Sequence, residues 1–322
     1  MTEFGYTMMC EQSRPDQLVR DLQMAEAAGF DFSLISDHYQ PWLESQGHSG
    51  YAWSILGAAA QATQRIGLMT YVTCPILRYH PVVVAQKAAT VQILSGNRFR
   101  LGLGAGENLN EHVVGQRWPA VGARHAMLGE AVDIIRALLE SDGTVNFRGR
   151  YFDVEQAKLW DPPDQPIPIG IAVSGPDSTR LAGEKADLMV AVEPEAELGE
   201  MFDAAGGKGK PRVGQLALAF DADREAAVQR AHDQFRWFGL GWKVNADLPN
   251  PESFEAATQF VTPEQVGEAI SCGPDVEEHV EAIRPFIDAG FTEVGLVQIG
   301  ADQQEPFIRW AEEKLLPALR GL

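Results

Sequence analysis

His38 stands directly beside Asp37 in the run Ser36-Asp37-His38-Tyr39-Gln40-Pro41-Trp42. An imidazole titrates near working pH, and a neighbouring carboxylate favours its charged form. The pair suits general acid–base work on a hydroxyl. It equally suits a helix cap at Asp37 with His38 in a hydrogen-bonded niche. Glu107 follows the small-residue turn Gly104-Ala105-Gly106, where backbone and ligand can approach closely beside a carboxylate. Taken alone, it is an ordinary solvated loop glutamate. Val173-Ser174-Gly175-Pro176-Asp177-Ser178 sets small residues before a helix start. Free N–H groups and the positive dipole end suit a phosphate there, unless Asp177 or Ser178 simply caps the helix. Gly102-Leu103-Gly104-Ala105-Gly106 lacks the spacing of a dinucleotide loop. His48, His80, His112, His125, His232 and His279 show no paired metal spacing, and Cys10, Cys74 and Cys272 are scattered. No metal centre is expected, and the thiols read as reduced and cytosolic.

Groups so far apart in sequence need a scaffold that gathers loop ends. The chain alternates short apolar runs with amphipathic stretches. The runs Phe4–Met9, Asp31–Ser36, Ile66–Val72, Phe99–Leu103, Ile167–Val173, Leu188–Val192, Val213–Phe220 and Glu293–Ile299 read as strands. Helices are expected over Arg14–Gly29, Trp53–Gln64, Pro81–Leu94, Arg124–Glu140, Asp177–Gly183, Arg224–Phe238 and Gln303–Leu319. Parallel neighbours need a crossover, so eight strands separated by helices predict a closed (β/α)8 barrel; an open doubly wound sheet is the competitor. Segments 146–166 and 242–261 exceed what a barrel requires and are expected to shape or cover a site. No linker or further repeat divides the chain, so residues 1–322 read as a single domain.

In a barrel, function collects at the C-terminal ends of the strands. Beyond the two ends already named, the third run closes in Tyr71-Val72-Thr73-Cys74-Pro75, followed by Arg78-Tyr79-His80-Pro81. Composition narrows the partners. With 45% hydrophobic residues and 31 Gly in 322 positions, the sequence is that of an ordered globular protein. Its formal charge of −19 leaves no basic stripe for nucleic acid or a membrane surface. No apolar run approaches the length of a membrane span or a signal segment. A cytoplasmic enzyme acting on a small molecule is expected.

Together, Ser36-Asp37-His38-Tyr39-Gln40-Pro41-Trp42, the Gly104-Ala105-Gly106-Glu107 turn with Asn110-Glu111, and Ser174-Gly175-Pro176 resemble the luciferase-like hydride-transferase superfamily. More narrowly they resemble its branch dependent on coenzyme F420 (8-hydroxy-5-deazaflavin), typified by a glucose-6-phosphate dehydrogenase. The similarity runs from Phe4-Gly5-Tyr6 to Leu315-Leu316-Pro317. It implies a luciferase-like TIM barrel with the deazaflavin at the C-terminal strand ends, and a homodimer. By the same resemblance His38 exchanges a proton with the substrate hydroxyl and Trp42 steadies the developing charge. Glu107 exchanges a proton with the deazaflavin ring. Asp37, Cys74, Ala105, Gly106, Asn110, Ser174, Gly175, Asp177 and Ser178 match cofactor-contacting positions, and Tyr71–Val72 matches a non-proline cis peptide that supports the ring.

Departures bear on the substrate. Where the sugar-phosphate enzymes of this branch carry phosphate-binding basic residues, Glu195 and Ala269 stand here, leaving only Lys243 as a third. An anionic sugar phosphate would meet repulsion, so a neutral alcohol, sugar or lipid-like hydroxyl is expected, with Trp42, Trp237 and Trp242 as candidate walls. Three other functions fit the same family: an F420H2-dependent reductase running the opposite way, an FMN-dependent monooxygenase, and a cofactor-binding barrel without catalysis.

Overall fold

The computed structural model describes residues 2–322. Eleven strands form in chain order: β1 Glu3–Met8, β2 Phe32–Ile35, β3 Gly67–Thr70, β4 Phe99–Leu103, β5 Val145–Arg148, β6 Asp153–Ala157, β7 Ile169–Ala172, β8 Leu188–Ala191, β9 Arg212–Ala219, β10 Ser271–Cys272 and β11 Glu293–Gln298. Eight of them pair in parallel around a ring, β1-β2-β3-β4-β7-β8-β9-β11, and β11 returns to β1. This is the expected closed (β/α)8 barrel. The strands bury both faces, so they read as continuous apolar runs, as parallel strands covered by helices do.

The helices form for the reasons their ends announce. Pro15–Ala28 has Pro at its first turn, and Gly29 takes φ 92° to stop it. Pro81–Leu94 likewise starts on Pro, with the His80 ring accepting the Val82 N–H. The expected helix Arg224–Phe238 ends its α-helical part at Phe235 and tightens into a 3₁₀ turn over Arg236–Leu240. Helices Ala196–Phe202, Pro263–Ala269 and Val276–Asp288 complete the outer layer. Of the two long connections, the first folds as the antiparallel hairpin β5–β6. The second carries the short helices Trp242–Asn245 and Pro251–Ala257. None of the described helices is long and apolar enough to cross a membrane.

The barrel is filled from inside. Phe32, Leu34, Met69, Leu188, Val190 and Val213 form its interior cluster, joined by Tyr71 and Val72. Gly102 belongs where a side chain has no room: a Cβ there would lie 2.0 Å from the Thr70 carbonyl oxygen. At the N-terminal floor, Arg100 of β4 donates to both carboxylate oxygens of Glu293 of β11, at 2.8 and 2.5 Å. The Glu293 side chain is only 8% exposed, whereas that of Arg100 is 20% exposed. Removing the guanidinium strands a mostly buried carboxylate, a loss partly relieved by the water that already reaches Arg100. Arg100→Met should therefore lower unfolding stability by about 2 kcal/mol, read as a lower urea midpoint. The double substitution Arg100→Met/Glu293→Met should recover most of it.

Candidate active site

Four C-terminal strand ends are sewn together by side chains. After β1, Glu11 is fully buried; its Oε2 accepts from the Ser36 hydroxyl at 2.6 Å, and that hydroxyl oxygen accepts the Cys10 N–H at 3.0 Å. After β2, His38 points its Nδ1 at Glu11 Oε1, 2.5 Å away, and its Nε2 at Glu107 Oε2, 3.2 Å away. The Glu11 approach lies off the hydrogen-bond line, so it acts as a close charge pair. After β4, Asn110 ties the loops together: its Nδ2 donates to Glu107 Oε2 at 2.9 Å, and its Oδ1 accepts the N–H groups of Tyr39 and Gln40. One imidazole is thus held between two carboxylates, and the side chains of His38 and Glu107 are 10% and 12% exposed. That leaves them a narrow opening to the barrel mouth.

Electrostatics follow from this geometry. Burial alone would lower the His38 pKa, but Glu11 and then Glu107 outweigh it and raise it to about 9. Burial would likewise lift Glu11, yet His38 holds its carboxyl below the ordinary value. Glu107 stays above its ordinary value because burial exceeds the help of His38 and Asn110. In the free protein His38 is therefore a cation at neutral pH.

Asp37 lies beside this cluster but faces the other way. Its Oδ2 accepts from Thr73 Oγ1 at 2.7 Å and Trp53 Nε1 at 3.0 Å. Its Oδ1 accepts from Tyr79 OH at 3.1 Å and Arg78 Nη2 at 3.2 Å. Arg78 also donates to the Asp37 carbonyl, and its main-chain N–H reaches Glu111 at 2.8 Å. Both carboxylate oxygens of Asp37 are thus taken up by protein donors. Lys87 caps the arrangement, its ammonium 3.3 Å from the Tyr79 ring centroid. Burial lowers the Lys87 pKa to about 8.

The remaining positions matched by the resemblance line two sides of the mouth. The Tyr71–Val72 peptide is cis, and the Tyr71 hydroxyl donates to the Ala191 carbonyl of β8. Thr73 N–H reaches Gly102 O and Gly104 N–H reaches Thr73 O, locking the ends of β3 and β4. Cys74 is buried against Gly106, and burial pushes its thiol well above the ordinary range. It is therefore a neutral packing group, not a nucleophile. Ala105 is partly buried beside them.

Across the barrel, helix Pro176–Lys185 is capped by Gly175 without a side-chain hydrogen bond. The Ser178 hydroxyl instead donates to Gly175 O and accepts the Ser174 N–H. Asp177 pairs with Arg180 at the surface. A Cβ at Gly175 would meet nothing within 4 Å. Open space over uncapped first-turn N–H groups fits a phosphate. A pocket of about 310 Å³, lined by His125, Arg180 and Glu184, shares Asp177 with this turn.

Trp42 forms the third side. Its ring lies 5.1 Å from that of His38 and stacks on Trp237 at 4.1 Å, with planes 11° apart. Phe254 and Trp242 meet Trp42 edge-on. The aromatic wall therefore joins the loop after β2 to the long segment before β10. Glu195, Lys243 and Ala269 all lie exposed. Burial, with Glu195 beside it, pushes the Glu193 carboxyl up. Among the described residues no group of His, Cys, Asp and Glu is placed to hold a metal ion.

Glu11 is a site group that sequence reasoning did not name, and Arg78 and Glu111 were quoted only within motifs, without a role. Glu11 had a usable signal, since it follows the end of the first strand of a barrel.

Residues 2–293 match the model of the luciferase-like monooxygenase family. A coenzyme F420-dependent glucose-6-phosphate dehydrogenase of Nakamurella multipartita is 36% identical over 99% of this chain and 97% of its own. An F420-dependent hydroxymycolic acid dehydrogenase of Mycobacterium tuberculosis is also 36% identical, over 98% of this chain and 88% of its own. Among solved structures, an F420-dependent secondary alcohol dehydrogenase holding an F420–acetone adduct superposes with a TM-score of 0.89 at 30% identity, covering 99% of both chains.

Proposed function

The chain belongs to the luciferase-like monooxygenase family, and from that premise we propose that it is a coenzyme F420-dependent oxidoreductase acting on the CH–OH group of a neutral alcohol. The observation that carries this reading is the Glu11–His38–Glu107 cluster beside Trp42, at the mouth of a barrel whose 36%-identical relatives are F420-dependent dehydrogenases. The residues present fit the cofactor: uncapped N–H groups with open space at Gly175 for its phosphate, and Val72, Ala105 and Gly106 beside Cys74 for its ring. When bound, the deazaflavin supplies a carbon that accepts or gives a hydride in a two-electron step.

This chain's own groups then manage protons and position. His38 Nε2 exchanges the proton of the substrate hydroxyl. Trp42, packed on Trp237, Phe254 and Trp242, holds a flat apolar wall against the substrate and excludes water. Glu107 carries a proton on the ring side, held in place by Asn110. Both Asp37 oxygens are occupied, so its carboxylate serves the site by fixing the loop that carries His38.

The rim favours a neutral substrate. By the resemblance Glu195 takes the place of a phosphate-binding cation, Glu193 adds a second carboxyl beside it, and Arg78 is tied to Asp37 and Glu111. The direction of hydride transfer is set by the substrate supplied, so dehydrogenase and reductase are one chemistry run two ways. The same proposal extends to a cytoplasmic homodimer, for which exposed Val83, Ile93 and Leu94 of helix Pro81–Leu94 offer apolar surface.

A fluorescence titration with oxidised deazaflavin and, separately, FMN tests the reading. Tight deazaflavin binding and hydride transfer from a neutral secondary alcohol in preference to glucose 6-phosphate are expected. Preference for FMN, with oxygen consumed, would move the protein to the monooxygenase branch.

A further inference from the structure

His38 raises a difficulty for two independent proton sites. A group that must take a proton from a hydroxyl should be empty when substrate arrives, yet this imidazole sits between two carboxylates at 2.5 and 3.2 Å. Both favour its charge, and together they outweigh the opposing effects of burial and Arg78; the ring also packs edge-on against Trp42. The same geometry resolves the difficulty, because Glu107 is in direct reach of the nitrogen that must be emptied.

We propose that His38 Nε2 and Glu107 Oε2 form a single relay, in which the proton lost by the substrate hydroxyl replaces the one that Glu107 delivers on the cofactor side. The inference rests on the function proposed above. Nε2 and Glu107 Oε2 meet as a charge pair 3.2 Å apart, a separation that a small rotation of either side chain turns into a hydrogen bond. Glu11 fixes the other end: its Oε1 faces Nδ1 while its Oε2 is held by the Ser36 hydroxyl. Nδ1 therefore keeps its proton and all traffic passes through Nε2.

Protons and electrons balance. The Nε2 proton crosses to Glu107, which leaves His38 neutral and Glu107 a carboxylic acid. With a deazaflavin bound, Glu107 would supply that proton on the cofactor side, while the cofactor would take the hydride released as the substrate C–H breaks. The substrate O–H breaks as the carbonyl forms, and its proton returns to Nε2. The protein ends as it began. One hydride and one proton leave the substrate, the same two reach the cofactor, and no proton is exchanged with water. Asn110 holds Glu107 Oε2 at 2.9 Å, keeping the carboxyl facing His38 while it is charged or neutral.

Two measurements decide it. The first follows His38 by ¹⁵N NMR in cofactor-free protein. In Glu107→Gln, an isosteric change, its titration midpoint should fall by about one pH unit; an unmoved midpoint overturns the coupling. The second is the pH profile of kcat/KM for alcohol oxidation by the wild type. The relay holds its proton only while His38 is charged, so the rate should fall above about pH 9. A rate that climbs through that range means His38 acts only when empty, and the relay is wrong. A coupled pair in a protein that binds no deazaflavin overturns the cofactor reading and the delivery step, while the pair itself stands.

Discussion

His38→Ala should lower kcat for alcohol oxidation by about 10²–10⁴-fold, the usual contribution of a positioned general acid–base group. The loss is expected in kcat more than in KM, because the role proposed for the imidazole is at the reacting hydroxyl, while the Trp42 wall, backed by Trp237 and Phe254, is left intact. The substitution also removes the one cation between Glu11 and Glu107. Two buried carboxylates cannot both stay charged at such distance, and Glu107, already raised by burial, is the one to protonate. The fold therefore survives, which thermal melting by circular dichroism checks directly. Added imidazole should restore part of the rate, because the vacated space adjoins the opening left to His38 and Glu107. A variant with unchanged turnover would remove His38 from the chemistry.

Asp37→Ala should cost about 4 kcal/mol of unfolding stability, measured by urea denaturation near neutral pH. Four donors lose their acceptor at once: Thr73 Oγ1, Trp53 Nε1, Tyr79 OH and Arg78 Nη2. Arg78 suffers most. Its side chain is 8% exposed, and Glu111 alone, 3.4 Å from its Nε, would remain as a charged partner. Asp37→Asn keeps the shape but turns an N–H₂ toward donors, so it should recover only a minority of the loss. Since these donors come from the loop after β3 and from helix Ala52–Ala62, deazaflavin affinity should fall with stability. A stable Asp37→Ala protein with impaired binding would instead give the carboxylate a direct role with the cofactor.

Much of the fold was legible because parallel strands covered on both faces leave short apolar runs, and all eight barrel strands came from such runs. Helix starts at Pro15 and Pro81 and the stop at Gly29 were equally plain, each being a backbone requirement written as a residue type. Helix Val276–Asp288 was not read: it is rich in Glu and carries Pro285 inside it, so its pattern looks interrupted. Ala196–Phe202 was hidden by the acidic residues at its start.

At the site, His38 stood out by its place beside Asp37 at a strand end, whereas Glu107 and Asn110 gained roles only through the family resemblance. Glu11 stands alone in Met9-Cys10-Glu11-Gln12 and gains meaning only when β1 and β2 lie side by side. Arg78 was visible in the tail of β3, but its partners Asp37 and Glu111 come from two other loops. The saturation of Asp37 was illegible for the same reason, since its donors are scattered from Trp53 to Tyr79. The stack of Trp42 on Trp237 joins residues nearly two hundred positions apart, and no periodicity encodes it.

That stack has an optical consequence. Two indoles held nearly parallel at 4.1 Å have coupled electronic transitions, so the pair should contribute a bisignate exciton band to the ultraviolet circular dichroism and a quenched share of the emission. The other tryptophans are not stacked on a second indole, which makes this band specific to one place. Because Trp42 also touches His38, the band reports from within a few ångströms of the chemistry. The molecule thus carries a spectroscopic gauge of its own active-site wall, readable without any label.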